Sequence, residues 1–335
     1  MILGLGVWRL TVLYAHTRRA ILFILGALLL VSLGFSVVGI FGLQEFPKIP
    51  ALAQHNPFRP GALPGIQGLV VHPNQLAGLI CVFLPLLMTL LVAPPDEFKS
   101  VPWRLTFLLA TLWTLWMLLL TQSRGGWIGA AGGLIVLLAL WAMVLPRYRR
   151  RLGLWIHLGA LAVGVVIAVV WVGPGNLRDL WLDPPQETVI GTLTTLNYRK
   201  ELWPWAVAAI GDFPFTGVGL GTFRQVAFRL YPLSLSPTYD IAHAHNIFLQ
   251  TALDVGLPGL VIYSAMLLIA AVVGWRVARR HAGYRSICLG LLAGLAALHI
   301  YGLADALALG SKPAVVFWLA LGLLAAMNNA TPVRD

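Results

Sequence analysis

The chain has 335 residues, 59% of them hydrophobic and only 10% charged, with a mean hydropathy of +0.83. A soluble domain of this length carries roughly a quarter charged residues, and several apolar runs here reach the ~18–20 residues that cross a bilayer. Composition therefore excludes a water-soluble globule, and without short alternating segments it excludes a β-barrel as well. The formal charge of +11 would suggest nucleic acid in a soluble protein, but the arginines flank apolar runs and set topology instead.

In chain order, residues 1–17 form a mixed segment expected to lie on the membrane surface. The first apolar run, 20–43, follows Arg18 and Arg19. No small-residue cleavage site ends it, so it reads as an anchor rather than a removed signal peptide. A polar segment, 44–74, leads to four more spans at 75–93, 104–122, 125–145 and 153–173. Cys81 lies in the first of these; Cys288 lies further on, again inside an apolar run, so no disulfide framework is offered.

Residues 174–245 are the least membrane-like stretch. A connector this long is functional or disordered, and Trp203, Trp205, Phe213, Phe215, Phe223 and Tyr231 argue against disorder. Within it, "NYRKELWPWAVAAIGDF" has helical spacing and is expected along the outer surface, its indoles at headgroup level. The glycines of "FPFTGVGLGTF", residues 213–223, lack the strand–turn–helix context of a dinucleotide site and suit a structured turn over the active site. Three spans follow at 246–274, 286–308 and 314–328. The first is too long for a bilayer, and "DVGLPG", residues 254–259, predicts a break within it.

The expected fold is thus all-α: one integral membrane domain over 1–335, with about eight spans and a long, partly helical external loop. The basic clusters at 18–19, 147–151 and 276–285 fall on one side if the spans alternate. Short basic loops stay cytoplasmic, so both termini are placed inside, with 44–74 and 174–245 outside.

Polar residues gather at the outer border. In "TQSRGGWIG", residues 121–129, Arg124 sits where topology calls for no arginine, and Ser123 is placed to cap the next helix. A helix N-terminus with an adjacent arginine suits a phosphate; the plainer reading is a snorkelling interfacial arginine. "AHAHNIFLQ", residues 242–250, opens another helix with His243, His245 and Asn246. A neutral imidazole there can act as a general base toward a sugar hydroxyl, or simply cap the helix. The H-x-H spacing is not the i, i+4 pair of a helical metal site, so no metal is expected. Asp305, in the outer third of the span 286–308, is a costly intramembrane carboxylate that calls for a partner, Arg124 or His245. His299 reads as a hydrogen-bonded core residue. Arg199 taken alone is a solvated charge. In "VHPNQLAG", residues 71–78, Asn74 is the expected cap and Pro73 fixes the helix start. No comparable cluster lies at the midplane, where a transporter would keep its site.

Taken in order, "HPNQLA", "SRGGWIG", "YRKELWPWAVAAIGDFPFTGVGLGTF", "AHNIFLQTALDVGLPGL" and "YGLADALALGSKPAVVFWLALGLL" resemble the O-antigen ligase and polymerase superfamily over roughly residues 70–328. Those bacterial inner-membrane glycosyltransferases move a glycan from undecaprenyl diphosphate to an acceptor at the periplasmic face, with neither nucleotide sugar nor metal. The resemblance implies that Arg124 and Arg199 bind the donor diphosphate and that His245, of the H-N motif, activates the acceptor hydroxyl. Asp305 matches an acidic position near the site; His243 and Asn246 flank the histidine and are expected on the substrate. The implied acceptor is a glycan, the lipid A core or a protein, with no cofactor, metal or nucleic acid. Family members carry several more spans before "HPNQLA", whereas one clear span precedes it here. A repeat-unit polymerase of the same superfamily and a non-enzymatic anion transporter remain as alternative readings.

Overall fold

The computed structural model describes residues 1–42, 72–144, 147, 151, 154–155, 196–230, 243–307 and 309–330. All but residues 154 and 155 of the expected span 153–173, most of the segment 44–74, and residues 174–195 and 231–242 of the expected external loop 174–245 lie outside the described residues. The apolar runs form α1 (Ile2–Tyr14), α2 (Arg18–Gly42), α3 (Pro73–Val92), α4 (Val101–Leu120) and α5 (Arg124–Val144). Further along come α6 (Leu196–Asp212), α7 (Phe223–Leu230), α8 (Ile247–Arg280), α9 (Arg285–Gly302) and α10 (Val315–Asn329). Among the described residues there is no strand. Six helices among the described residues (α2, α3, α4, α5, α8 and α9) are long and apolar enough to cross a membrane; α1 and α10 are apolar but shorter.

The all-α, polytopic expectation holds, and α3 explains the assembly. Every residue from Leu76 to Leu90 is buried, as expected of a helix that is apolar all round. It packs chiefly on α9, which in turn packs on α5. With lipid tails as apolar as leucine, helix association depends on close approach at small residues. Here Gly290 and Gly294 of α9 lie against the α3 backbone: a Cβ on Gly294 would stand 2.2 Å from the Val82 carbonyl oxygen. Gly129 and Gly133 of α5 meet Ala297 in the same way. Cys81 and Cys288 are free and buried within this core.

Most of the segment 1–17 is helical, and α1 packs along α10. Gly4 and Thr11, seven residues apart on one helix face, make that contact; Gly4 lies under the Trp318 indole and Gly322 meets the Thr11 side chain.

The two ends of the bundle differ. At one end, Arg18 at the start of α2 grips Glu97, in the α3–α4 connection, with Nε–Oε1 2.5 Å and Nη2–Oε2 2.7 Å. The same guanidinium lies 5.4 Å from the centroid of the Tyr284 ring, between α8 and α9. One side chain thus gathers three connections that the topology placed together. The starts of α3, α5 and α8 lie at the other end, with the last turn of α9. Tyr301 joins them: its hydroxyl donates to the Asn74 carbonyl at 2.7 Å, its ring packs beside Gly78, Gly125 and Gly129, and the next residue, Gly302, meets Ile247.

Two helix boundaries differ from the sequence reading. The helix placed at 286–308 stops at Gly302, because the amides of Leu303, Ala304 and Asp305 turn back onto Ile300 and Tyr301. Asp305 therefore sits in a turn just past α9 rather than within a span. The expected break in the long span is present: Gly256 has φ 74° and ψ 177°, and splits α8 in two.

Candidate functional site

The site is built from the histidine loop upward. Asn246 caps α8, its Oδ1 accepting from the amides of Phe248 (2.9 Å) and Leu249 (3.1 Å), while Nδ2 donates to the Leu303 carbonyl at 3.1 Å. Both ends of this side chain are hydrogen-bonded, and together they tie the helix start to the turn that carries Asp305. Ahead of it, His245 has φ +49°, a left-handed conformation that costs a non-glycine residue about 1–2 kcal/mol. Gln122, at the turn before α5, is the other described non-glycine residue with positive φ. Both strained residues lie two or fewer positions ahead of the helices that begin at this end, and such strain gathers at functional sites.

His243, His245 and Asp305 form one cluster. His245 Nδ1 stands 3.2 Å and His243 Nε2 3.7 Å from Asp305 Oδ1, and the two imidazole centroids are 4.3 Å apart. His243 Nδ1 accepts the His245 amide at 3.2 Å, so the neutral His243 ring carries its proton on Nε2. Burial, then the neighbouring His245, pushes its pKa down to about 4 against the pull of Asp305. Burial opposes the charge on Asp305, yet the His245 hydrogen bond and both imidazoles hold its carboxyl well below the usual carboxylate range. Asp305 Oδ1 also accepts the Ala306 amide at 2.8 Å. The ligand atoms of the three residues lie within 4.8 Å of one another, a spacing a cation could bridge. Uptake there would have to shift the His243 proton to Nδ1 and break the bond from the His245 amide.

The arginines complete the constellation. Ser123 Oγ accepts the Gly126 amide at 3.2 Å, capping the helix that Arg124 opens. Arg199, on the first turn of α6, is within electrostatic reach of both Arg124 and His243, and its Nε is buried. Two guanidiniums in each other's field raise the positive potential of this end of the bundle. Of the residues singled out by sequence, His243, His245 and Asp305 are in contact, Arg199 and Arg124 share their field, and Asn246 is a cap. His299 is the core residue expected: Nδ1 donates to the Leu295 carbonyl and Nε2 accepts from Tyr263, both at 2.6 Å.

Three features corrected or escaped the sequence reading. The cap of α3 is His72, not Asn74; its Nδ1 accepts the Asn74 amide at 3.3 Å, and the ring is within electrostatic reach of His243. The Trp203 indole donates to the Ala244 carbonyl at 3.1 Å, and Trp205 packs on a small cluster with Leu202, Ala206, Phe223 and Leu253. Gln250 and Asp254, four apart on an apolar helix and both buried, carry the loop's remaining hydrogen bonds. That i, i+4 polar pair was the available signal.

The bundle defines a polytopic helical membrane protein with a polar cluster at one end of its helices. Residues 109–264 match the family model described as O-antigen ligase, which supports the O-antigen ligase superfamily and, in general terms, a membrane glycosyltransferase of ligase or polymerase type. Arg124, Arg199, His243, His245 and Asn246 fall inside the matched segment; His72 and Asp305 lie outside it. A search of curated proteins finds no match.

Proposed function

We propose that the chain transfers a glycan from undecaprenyl diphosphate to an acceptor hydroxyl (of a glycan, the lipid A core or a protein) at the periplasmic face of the bacterial inner membrane, with both termini cytoplasmic. The observation that carries this reading is the His245–Asp305 contact of 3.2 Å beside two arginines within electrostatic reach of each other. An imidazole whose Nδ1–H points at a carboxylate keeps its lone pair on Nε2, and its protonated form is stabilised by that carboxylate.

In the proposed step, the acceptor oxygen attacks the anomeric carbon while its proton passes to His245 Nε2. The bond from that carbon to the diphosphate oxygen breaks, and undecaprenyl diphosphate leaves with the electron pair. Arg124, Arg199 and the N-termini of α3 and α5 offset the charge that develops on the leaving group, as preorganised donors do. Direct attack inverts the anomeric centre. No metal or cofactor takes part in the step. His243, neutral at physiological pH, orders the loop and presents Nε2–H rather than a second positive charge.

The test is reconstitution of the purified chain in liposomes with an undecaprenyl-diphosphate glycan and candidate acceptors. Transfer with release of undecaprenyl diphosphate, unchanged by a chelator, is expected. Single-addition products mark a ligase and a ladder of repeat units a polymerase. Liposomal uptake of an anion that depends on Arg124, without any transfer, contradicts the proposal.

A further inference from the structure

Ala244 separates the two histidines, and both of its backbone polar groups are pinned. Its carbonyl accepts the Trp203 indole, as described above. Its amide donates to Gln250 Oε1 at 2.8 Å. Gln250 in turn donates from Nε2 to Asp254 Oδ1 at 2.8 Å, and the same oxygen accepts the Gly221 amide at 3.1 Å. One line of hydrogen bonds therefore runs from the glycine-rich turn, through two buried side chains of α8, to the peptide between the imidazoles. An isolated αL residue such as His245 persists only where its surroundings over-determine it, and this line supplies the restraint on its N-terminal side. Asn246 supplies the other.

Burial sharpens the point. Gln250 and Asp254 are 2% and 3% exposed, and an intramembrane or interfacial carboxylate without a structural partner is costly. A buried amide that accepts from the histidine loop and donates to a carboxylate meets two demands that no apolar residue of the same shape can meet. The chemistry described above uses neither residue. We infer that Gln250 and Asp254 are positioning residues, which hold His243 and His245 in register with Asp305 and couple that register to the turn at Gly217–Gly221. The inference rests on His245 acting as the base.

The experiment uses the full chain in liposomes. Gln250→Ala removes the acceptor for Ala244 and is expected to lower kcat on the order of 100-fold, the penalty of misplacing a catalytic group by about 1 Å, with the KM for the lipid-linked donor unchanged. Gln250→Glu separates positioning from general damage. Its protonated carboxyl reproduces the native pattern, accepting from Ala244 and donating to Asp254. Once ionised, it faces a second carboxylate and the pattern is lost. Its kcat relative to the native chain should therefore be near one at pH 5.5 and fall as pH rises, while the Gln250→Ala ratio stays low and flat. A native-like melting temperature of Gln250→Glu at pH 5.5 shows that the fold is intact. A kcat for Gln250→Ala within threefold of native overturns the inference, as does a flat ratio for Gln250→Glu. Diethyl pyrocarbonate labelling of His243 and His245, read by mass spectrometry, gives the loop's order independently of activity and should be faster in Gln250→Ala. If His245→Ala still transfers glycan while that labelling difference persists, the base assignment fails and the positioning role stands; unchanged labelling overturns the positioning role.

Discussion

Asp305 and His245 are in contact at 3.2 Å, and under the proposed function each side of the contact has a separable consequence. Asp305→Asn keeps the shape but removes the carboxylate that faces His245 Nδ1. Transfer should fall on the order of 100-fold, the low end of what a positioned acid–base group contributes, with donor binding retained; the check is kcat against KM in the liposome assay. His243 gives a pH signature of stability. Its folded pKa of about 4 lies below the ordinary 6.5, so between these values the unfolded chain binds more protons than the folded one. Stability is then complete above about pH 6.5 and is lost as pH falls toward 4, by up to about 3 kcal/mol. Asp305, with its lowered value, adds a loss only below the ordinary carboxylate range. Melting in detergent across pH 7 to 4 should show the decline, and His243→Asn should flatten it.

At the level of elements, the break in α8 and the turn at 213–222 are two halves of one joint. The Val218 amide donates to the Leu253 carbonyl at 2.6 Å, and the Leu257 amide to the Pro214 carbonyl at 2.7 Å. A Cβ on Gly256 would stand 2.5 Å from the Phe215 carbonyl oxygen, and one on Gly217 2.5 Å from that of Leu253. Gly256→Ala should cost about 1–3 kcal/mol through strain at its φ, and more through the clash, seen as a lower melting temperature with weaker transfer. This joint also marks how far the sequence could be read. The helix pattern, the break at 254–259 and the polar border at 243–246 follow from periodicity, Gly-Pro chemistry and the cost of polar groups beside apolar runs, all of which are local. The partners were not legible by the same means. That Gly217 docks on Gly256, that Trp203 reaches Ala244 and that Arg18 reaches Glu97 are tertiary contacts between distant residues. Asp305 was placed inside a span because its neighbours are apolar; hydropathy does not register the turn bonds that end α9 at Gly302. Conversely, capping chemistry made the Oδ1 bonds of Asn246 legible in the sequence, whereas the Nδ2 bond to Leu303 is again a contact between distant residues.

For the whole molecule, the Arg18–Glu97–Tyr284 cluster and the His245–Asp305 site mark opposite ends of the bundle, and the proposed topology assigns the first to the cytoplasm. The native cysteines are buried, so labelling of introduced cysteines reads sidedness cleanly. A membrane-impermeant maleimide should label Phe215→Cys in intact spheroplasts and Lys99→Cys only after lysis; the reverse pattern inverts the topology and moves the site to the cytoplasm. The family match supports membrane glycosyl transfer in general, and the proposed function puts the proton transfer on His245. The most direct measurement is therefore single-turnover transfer by native and His245→Ala chains in liposomes loaded with undecaprenyl-diphosphate glycan, with donor binding followed in parallel. The account predicts transfer by the native chain alone and equal donor binding by both; transfer by His245→Ala at the native rate would contradict it.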